Sequence, residues 1–299
     1  MNASSLPLPA ARGLAVAFAL ASVYVLWGST YLAIRYALDS YPPFLLGTFR
    51  MFTAGALMYA VLRMRGAAPP TSKQWRTLVV LSIFMVLLSN GLVNLAETEV
   101  GSGMAAIAVA SMPLWAGLFG VLRGQHPSRG EWAGLAIGFV GVVWLNAGSE
   151  LRASLPGLLA LISAPIAWAW GSVWSRGRDL AAPFMSTAAQ MVCGGIAMTL
   201  LGLVLGERLT GTPPLEATLA VAYLALFGSI VAFSAYVWLL DKVRPALATS
   251  YAYVNPPIAV LLGAWLLDER FGVHAIGAMA VILLGVVIVM RAKARPKTP

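Results

Sequence analysis

Several polar and aromatic residues lie inside long apolar runs, where such side chains need either a partner or a purpose. Tyr24, Trp27 and Tyr31 fall at i, i+3 and i+7, on one face of a helix. Trp168 and Trp170 occupy a comparable place later in the chain, on neighbouring helix faces. Asn90 and Asn94 are spaced i, i+4 and share a face. Ser250, Tyr253 and Asn255 form a polar run directly ahead of Pro256 and Pro257. Together these side chains could hold a small amphipathic solute. Rings stack on its apolar part and attract an ammonium through the π face, while amides and hydroxyls hold a carboxylate. Each also has a plainer role. Trp27 lies roughly 20 Å into its run at 1.5 Å per residue, too deep for an interfacial belt, so it either lines a pathway or packs helices. The two asparagines either bond across helices or face cargo. Arg50, well inside another apolar run, carries an insertion cost of about 2.5–3.5 kcal/mol and must face protein. It either captures a carboxylate or clamps freed helix carbonyls, and the structural role is favoured.

The acidic residues are informative by their places. Glu97 and Glu99 sit at the end of an apolar run, and the other Asp and Glu residues lie in or near connecting segments. No buried carboxylate pair, zinc-type histidine cluster or phosphate-binding glycine loop is evident, so no enzyme chemistry, metal or cofactor is expected. Proton coupling, if present, would run through the Glu97–Glu99 end. Cys193 is the only cysteine, which excludes an intramolecular disulfide and a thiolate metal cluster.

The elements that position these residues follow from composition. Hydrophobic residues make up 60% of the chain and charged residues 10%, against about 25% charged in soluble domains. Ten segments approach the roughly 20 apolar residues that cross a bilayer core: 14–36, 43–62, 77–96, 102–122, 131–147, 155–175, 184–206, 217–240, 245–267 and 272–290. The fold class expected is an all-α, polytopic membrane protein. With the N-terminus cytoplasmic, fifteen Lys and Arg fall on the inner side and three (Arg152, Arg208, Arg270) outside, so both termini are expected in the cytoplasm. The net charge of +9 therefore reads as membrane topology and contact with anionic lipid, not as a nucleic-acid surface.

The chain also repeats. Trp27-Gly28-Ser29 matches Trp170-Gly171-Ser172, and PFLLGTFRMFTAGALM from Pro43 matches PFMSTAAQMVCGGIAM from Pro183. Pro113 matches Pro256, and Gly141-Val142-Val143 matches Gly285-Val286-Val287. Each half holds five expected spans, and an odd number inverts the second half relative to the first. The expected organisation is a tail over 1–13, repeats over 14–147 and 155–290, and a basic tail over 291–299. Prolines at corresponding depths, Pro113 in one half and Pro256 with Pro257 in the other, mark broken helices that serve as hinges around a site or as packing kinks. Gly134-x-x-x-Gly138 and Gly202-x-x-x-Gly206 are read as packing within one chain, so a monomer is expected.

WGSTYLAIRYA from Trp27, the Arg50 segment, ALATSYAYVNP from Ala246 and LLDERFGVHAIGAMAVILLGV at the end resemble the EamA-type drug/metabolite transporter superfamily. The likeness runs over nearly the whole chain. It is nearest to a group of bacterial inner-membrane exporters related to aromatic amino acid exporters. The resemblance implies ten spans in two EamA repeats, a cavity between them, and export of amino acids or other small metabolites to the periplasm. It implies cavity roles for Trp27, Tyr31, Tyr253 and Asn255. One departure is Gln125-His126 where the second half has Asp268-Glu269. The competing readings are a drug exporter of the same fold, a gated channel and, least favoured, an intramembrane lipid-processing enzyme.

Overall fold

A computed structural model describes residues 9–99, 105, 108–145, 154–267 and 273–292. In lipid every backbone donor and acceptor must be satisfied within its own segment, which leaves helices as the spanning form for such a chain. Among the described residues there is no strand. The helices are α1 (Pro9–Leu38), α2 (Pro43–Met64), α3 (Ser72–Glu97), α4 (Met112–Leu122), α5 (Arg129–Leu145) and α6 (Leu155–Ser175). They continue as α7 (Pro183–Val204), α8 (Leu215–Lys242), α9 (Pro245–Ala248), α10 (Tyr251–Leu267) and α11 (Val273–Arg291). Six of these, α1 to α3 and α6 to α8, are long and apolar enough to cross a membrane. Part of the expected fourth span, Asp268-Glu269 and both chain ends lie outside the described residues.

The helix ends are closed by local chemistry. Thr71 and Gln74 cap α3 reciprocally, Gln74 N–H donating to Thr71 Oγ1 at 3.3 Å and Thr71 N–H to Gln74 Oε1 at 3.0 Å. The start of α2 is capped from the other half of the chain: Glu207 accepts from Phe44 N–H at 3.1 Å and Leu45 N–H at 2.8 Å, a carboxylate at the positive end of a helix dipole. Arg123 donates to the Val173 and Trp174 carbonyls at 2.9 and 3.1 Å, closing the C-terminus of α6.

The helices of the two halves pack in reciprocal pairs. Gly55 on α2 meets Val192 and Met191 of α7, and Gly195 on α7 meets Phe52 of α2. Gly55 and Gly195 are sequence counterparts, as are Phe52 and Val192. The pair α5 and α11 behaves alike. Gly141 lies against Ile282, and its counterpart Gly285 against Gly138, the counterpart of Ile282. A Cβ on Gly285 would stand 2.5 Å from the Gly138 nitrogen and 2.7 Å from the Gly134 carbonyl oxygen. Gly134 and Gly138 thus pack within the chain, as expected. Gly206 does not pack at all: it takes φ +78° just past the end of α7, the left-handed turn that glycine accommodates.

The helix interruptions fall elsewhere than at the prolines. Pro113 sits in the first turn of α4, where its missing N–H is no loss, and the turn is at Ser111, whose hydroxyl donates to the Ala108 carbonyl at 2.6 Å. Pro256 and Pro257 lie inside α10. The break before α10 is at Thr249–Ser250, with Ser250 Oγ donating to the Leu247 carbonyl at 2.8 Å. The serine hydroxyl competes for backbone carbonyls that the helix would otherwise use. All three prolines are buried. A second class of irregularity is π-helical: Ile83–Gly91 within α3 and Leu224–Val231 within α8. In each, a side chain caps the carbonyl five residues back, Asn90 Nδ2 to Met85 O at 2.8 Å and Ser229 Oγ to Leu224 O at 3.0 Å.

Gly285→Ala is expected to lower unfolding stability in detergent by about 1–3 kcal/mol, the usual cost of overpacking. Gly13→Ala, whose Cβ meets nothing within 4 Å, serves as the neutral control. Equal melting of the two variants would contradict the α5–α11 contact.

Candidate functional site

A small cavity of about 70 Å³ lies among α1, α2, α3, α4, α6 and α10. It brings together Trp27, Tyr31, Arg50, Asn90, Asn94, Trp168 and Asn255 from the sequence expectations. Thr30, Ser89, Met112 and Tyr251 also border it. Sequence reasoning passed over Thr30, Ser89 and Met112, although Thr30 and Ser89 each neighbour a residue it singled out.

The cavity is built around one backbone oxygen. The π-helical turn in α8 presents the Gly228 carbonyl, which accepts from Trp27 Nε1 at 2.8 Å and from Arg50 Nη2 at 3.4 Å. Arg50 Nε donates to Ser229 Oγ at 2.9 Å. Glycine is required at 228 because a Cβ would stand 2.9 Å from Thr30 Cγ2 and 3.3 Å from Arg50 Nη2. Arg50 is therefore held by α8, while the rest of its fork borders the cavity. The Glu97 carboxyl lies within electrostatic reach of both Arg50 and Arg35, and its Oε1 is buried without a hydrogen-bond partner. Arg50 and its sequence counterpart Gln190 do not meet: Gln190 borders a separate cleft.

Two amides near the cavity carry unused acceptors. Asn94 Nδ2 donates to the Pro43 carbonyl at 3.1 Å, and its Oδ1 is buried without a partner. Asn255 Oδ1 is likewise buried and unpaired, although the Tyr31 hydroxyl lies beside it. Leaving such a group unpaired costs roughly 1–3 kcal/mol, so these atoms are not there for stability alone.

Below the cavity is an aromatic cluster. Trp27 packs edge-on to Trp168 (centroids 5.3 Å apart) and Tyr251 (4.5 Å), with Tyr236 at 5.2 Å and Phe233 at 6.4 Å. On α3, Ser89 borders the cavity and Met85, four residues earlier, borders a second hollow, a cleft of about 560 Å³.

Four expected residues lie away from the cavity. Tyr253 points into the α5–α11 packing, its hydroxyl donating to the Leu135 carbonyl at 2.9 Å. Tyr24 is hydrogen-bonded to Ser250 at 2.7 Å, so both join α1 to the break before α10. Trp170 packs edge-on to Phe119 at 5.3 Å. The reason is angular: Trp168 is two positions from Trp170, or 200° around an α-helix, so only one of them faces inward. Nothing in the sequence pointed to the two π-helical turns except their Ser-Asn-Gly and Gly-Ser steps.

Six helices long and apolar enough to cross a membrane, with helices of the two halves packed in reciprocal pairs around a small cavity, are the features a membrane transporter requires. The model of the EamA-like transporter family matches residues 13–147 and again 155–291, and the chain belongs to that family. It is 40% identical to the inner membrane transporter YedA of Escherichia coli strain K12 over 276 residues, which covers 92% of this chain and 90% of YedA. It is 25% identical to protein PagO of Salmonella typhimurium, covering 96% of each. A crystal structure 21% identical superposes with a TM-score of 0.76 over 92% of this chain and 96% of that one, which places the fold.

Trp27→Phe keeps the ring and removes the bond to Gly228. Stability in detergent should fall by about 0.5–1.5 kcal/mol, and Trp27→Ala by about 3–5 kcal/mol. A phenylalanine variant as stable as the parent would contradict the Gly228 node.

Proposed function

We propose that the protein is a secondary exporter that moves small amphipathic metabolites, with aromatic and hydrophobic amino acids foremost, out across a bacterial inner membrane. It works by alternating access between two inverted five-helix repeats, ten spans in all, with both termini cytoplasmic. The observation that carries the reading is the pair of unpaired, buried amide oxygens on Asn94 and Asn255, beside Arg50 and the ring of Trp27. The amide acceptors suit a cargo ammonium, Arg50 a carboxylate, and Trp27 with Trp168 an apolar side chain.

The reciprocal contacts of α2 with α7 and α5 with α11 support the inverted repeat. When residue i of one half touches the counterpart of j, and the counterpart of i touches j, a two-fold axis relates the halves. The volumes support alternating access. Ligand pockets commonly measure about 300–1,000 Å³, so a cavity of about 70 Å³ is too small for a metabolite in this state, while the cleft of about 560 Å³ is not. The distribution of Lys and Arg supports a cytoplasmic position for the 560 Å³ cleft, with the aromatic cluster as the barrier between cleft and cavity. The Ser111 and Ser250 breaks, with Pro113, Pro256 and Pro257 stiffening the helices just after them, act as hinges. The inner-membrane name of the Escherichia coli relative supports the location. Partners are the cargo and membrane lipid, with a monomer as the working unit.

The test is counterflow of labelled L-phenylalanine in proteoliposomes. Saturable uptake driven by unlabelled substrate on the far side is expected, and Asn255→Leu should raise KM about tenfold or more. Flux that is linear in concentration and shows no exchange would replace the exporter with a channel.

A further inference from the structure

The 560 Å³ cleft is not an empty vestibule. Its floor is bordered by Gln190, a residue only 3% exposed whose Nε2 is buried with no hydrogen-bond partner. At the rim stand two cations and one anion. Arg178 is stacked at 3.8 Å on the Trp174 ring, and the Arg176 guanidinium donates to the Val243 carbonyl at 3.1 Å. Asp241 pairs with Lys242 at 2.6 Å. Between floor and rim the apolar Leu81, Met85 and Leu240 alternate with the polar Ser186 and Gln125. An unsatisfied amide donor below, opposite charges above and hydrocarbon among the groups between them match a zwitterion that carries an apolar body.

Sequence and symmetry give this cleft a meaning. Gln190 is the counterpart of Arg50 in the matched segments from Pro43 and Pro183. Arg50 borders the cavity, and Gln190 borders the cleft. This matched pair puts one member on a hollow of about 70 Å³ and the other on a hollow of about 560 Å³. Only the larger has the size for a solute.

We infer that the cytoplasmic cleft is a loading site, in which the Gln190 amide takes an oxygen of a small zwitterion with an apolar side chain before it passes the aromatic cluster. This rests on the exporter reading for its place in the cycle, while binding at the cleft stands by itself. The same zwitterionic chemistry could come from a soluble amino acid or from a phosphatidylethanolamine headgroup, and the inference commits to the soluble one.

The experiment is equilibrium binding of labelled L-phenylalanine to the full-length protein in nanodiscs, with and without phosphatidylethanolamine. Gln190→Leu preserves bulk and removes the donor, and Gln190→Asn keeps a shorter amide. Leu200→Ala, on the exposed face of α7 and outside both hollows, is the control. The expected result is a tenfold or greater loss of affinity in Gln190→Leu, partial recovery in Gln190→Asn, and less than twofold change in Leu200→Ala, in either lipid. A Gln190→Leu affinity within twofold of the parent, or no binding to the parent at all, overturns the loading site. So does binding that phosphatidylethanolamine competes away, which makes the cleft a lipid site. Thermal melting of each variant separates lost binding from lost folding: a Gln190→Leu protein that melts well below the parent is replaced by Gln190→Met, held to the same tenfold criterion. Binding of this kind without counterflow would remove the exporter reading and leave the site standing, whereas counterflow with an unaffected Gln190→Leu variant would do the reverse.

Discussion

Inside a bilayer there is no water to rescue a lone carbonyl, and that constraint shapes this protein from its helix ends to its centre. The Gly228 oxygen shows it most directly. A π-helical turn in α8 presents the oxygen sideways, and the two spanning helices α1 and α2 supply the donors that satisfy it, through Trp27 and Arg50. Three helices are tied at one atom, and the cavity forms beside that tie. Where the chain turns away from regular helix, at Ser111, Ser250, Asn90 and Ser229, a side chain on the spot caps the freed carbonyl. Against that background the unpaired oxygens of Asn94 and Asn255 stand out as groups left open for something else to fill.

The paired helices give the bundle a frame that can move without coming apart. Between α5 and α11 the backbones meet through Gly134, Gly138, Gly141 and Gly285, so close that no side chain fits. Such contacts gain dispersion and weak backbone interactions in place of hydrophobic burial, which counts for little between helices in lipid. Around the cavity the contacts differ in kind. They are aromatic edges, single hydrogen bonds and serine-capped turns, each able to shift by a small rotation. At the end of the bundle that carries Arg176 and Arg244, two ties cross between elements. Arg176 donates to the Val243 carbonyl at 3.1 Å, and Arg244 pairs with the buried Glu131 at 2.8 Å while donating to the Ala292 carbonyl. They anchor the segment that leads into α9 and α10.

Much of the frame was legible in the sequence because its signals are local or repeated. Apolar length announces helices, matched Pro-Phe and Gly-Val-Val segments announce two halves, and Gly134-x-x-x-Gly138 announces close packing. The inward face of α1 was readable in part: Trp27 and Tyr31 of the expected trio border the cavity, while Tyr24 bonds Ser250 away from it. The failures have a common physical source. Side-chain direction near an irregular turn cannot be counted from residue spacing. Tyr253 was grouped with Asn255, but two positions along a helix reverse the face, and Tyr253 went to α5. The prolines drew attention as breaks, yet Pro113 starts a helix and Pro256 with Pro257 ride inside one, because serine hydroxyls a few residues earlier take the strain. The π-helical turns need no proline and left only a faint trace of small polar residues. Gln190 was noticed solely as the partner of Arg50 by alignment, and its cleft exists only once α3, α6, α7 and α8 are assembled.

The central claim is that cavity and cleft open in alternation. Single cysteines at Val93, on the cavity wall, and Val237, on the cleft wall, in a Cys193→Ser background report it through the rate of labelling by a small water-soluble thiol reagent. Saturating cargo should raise the rate at position 93 while lowering it at 237. Rates that rise or fall together, or that ignore cargo, would contradict the account.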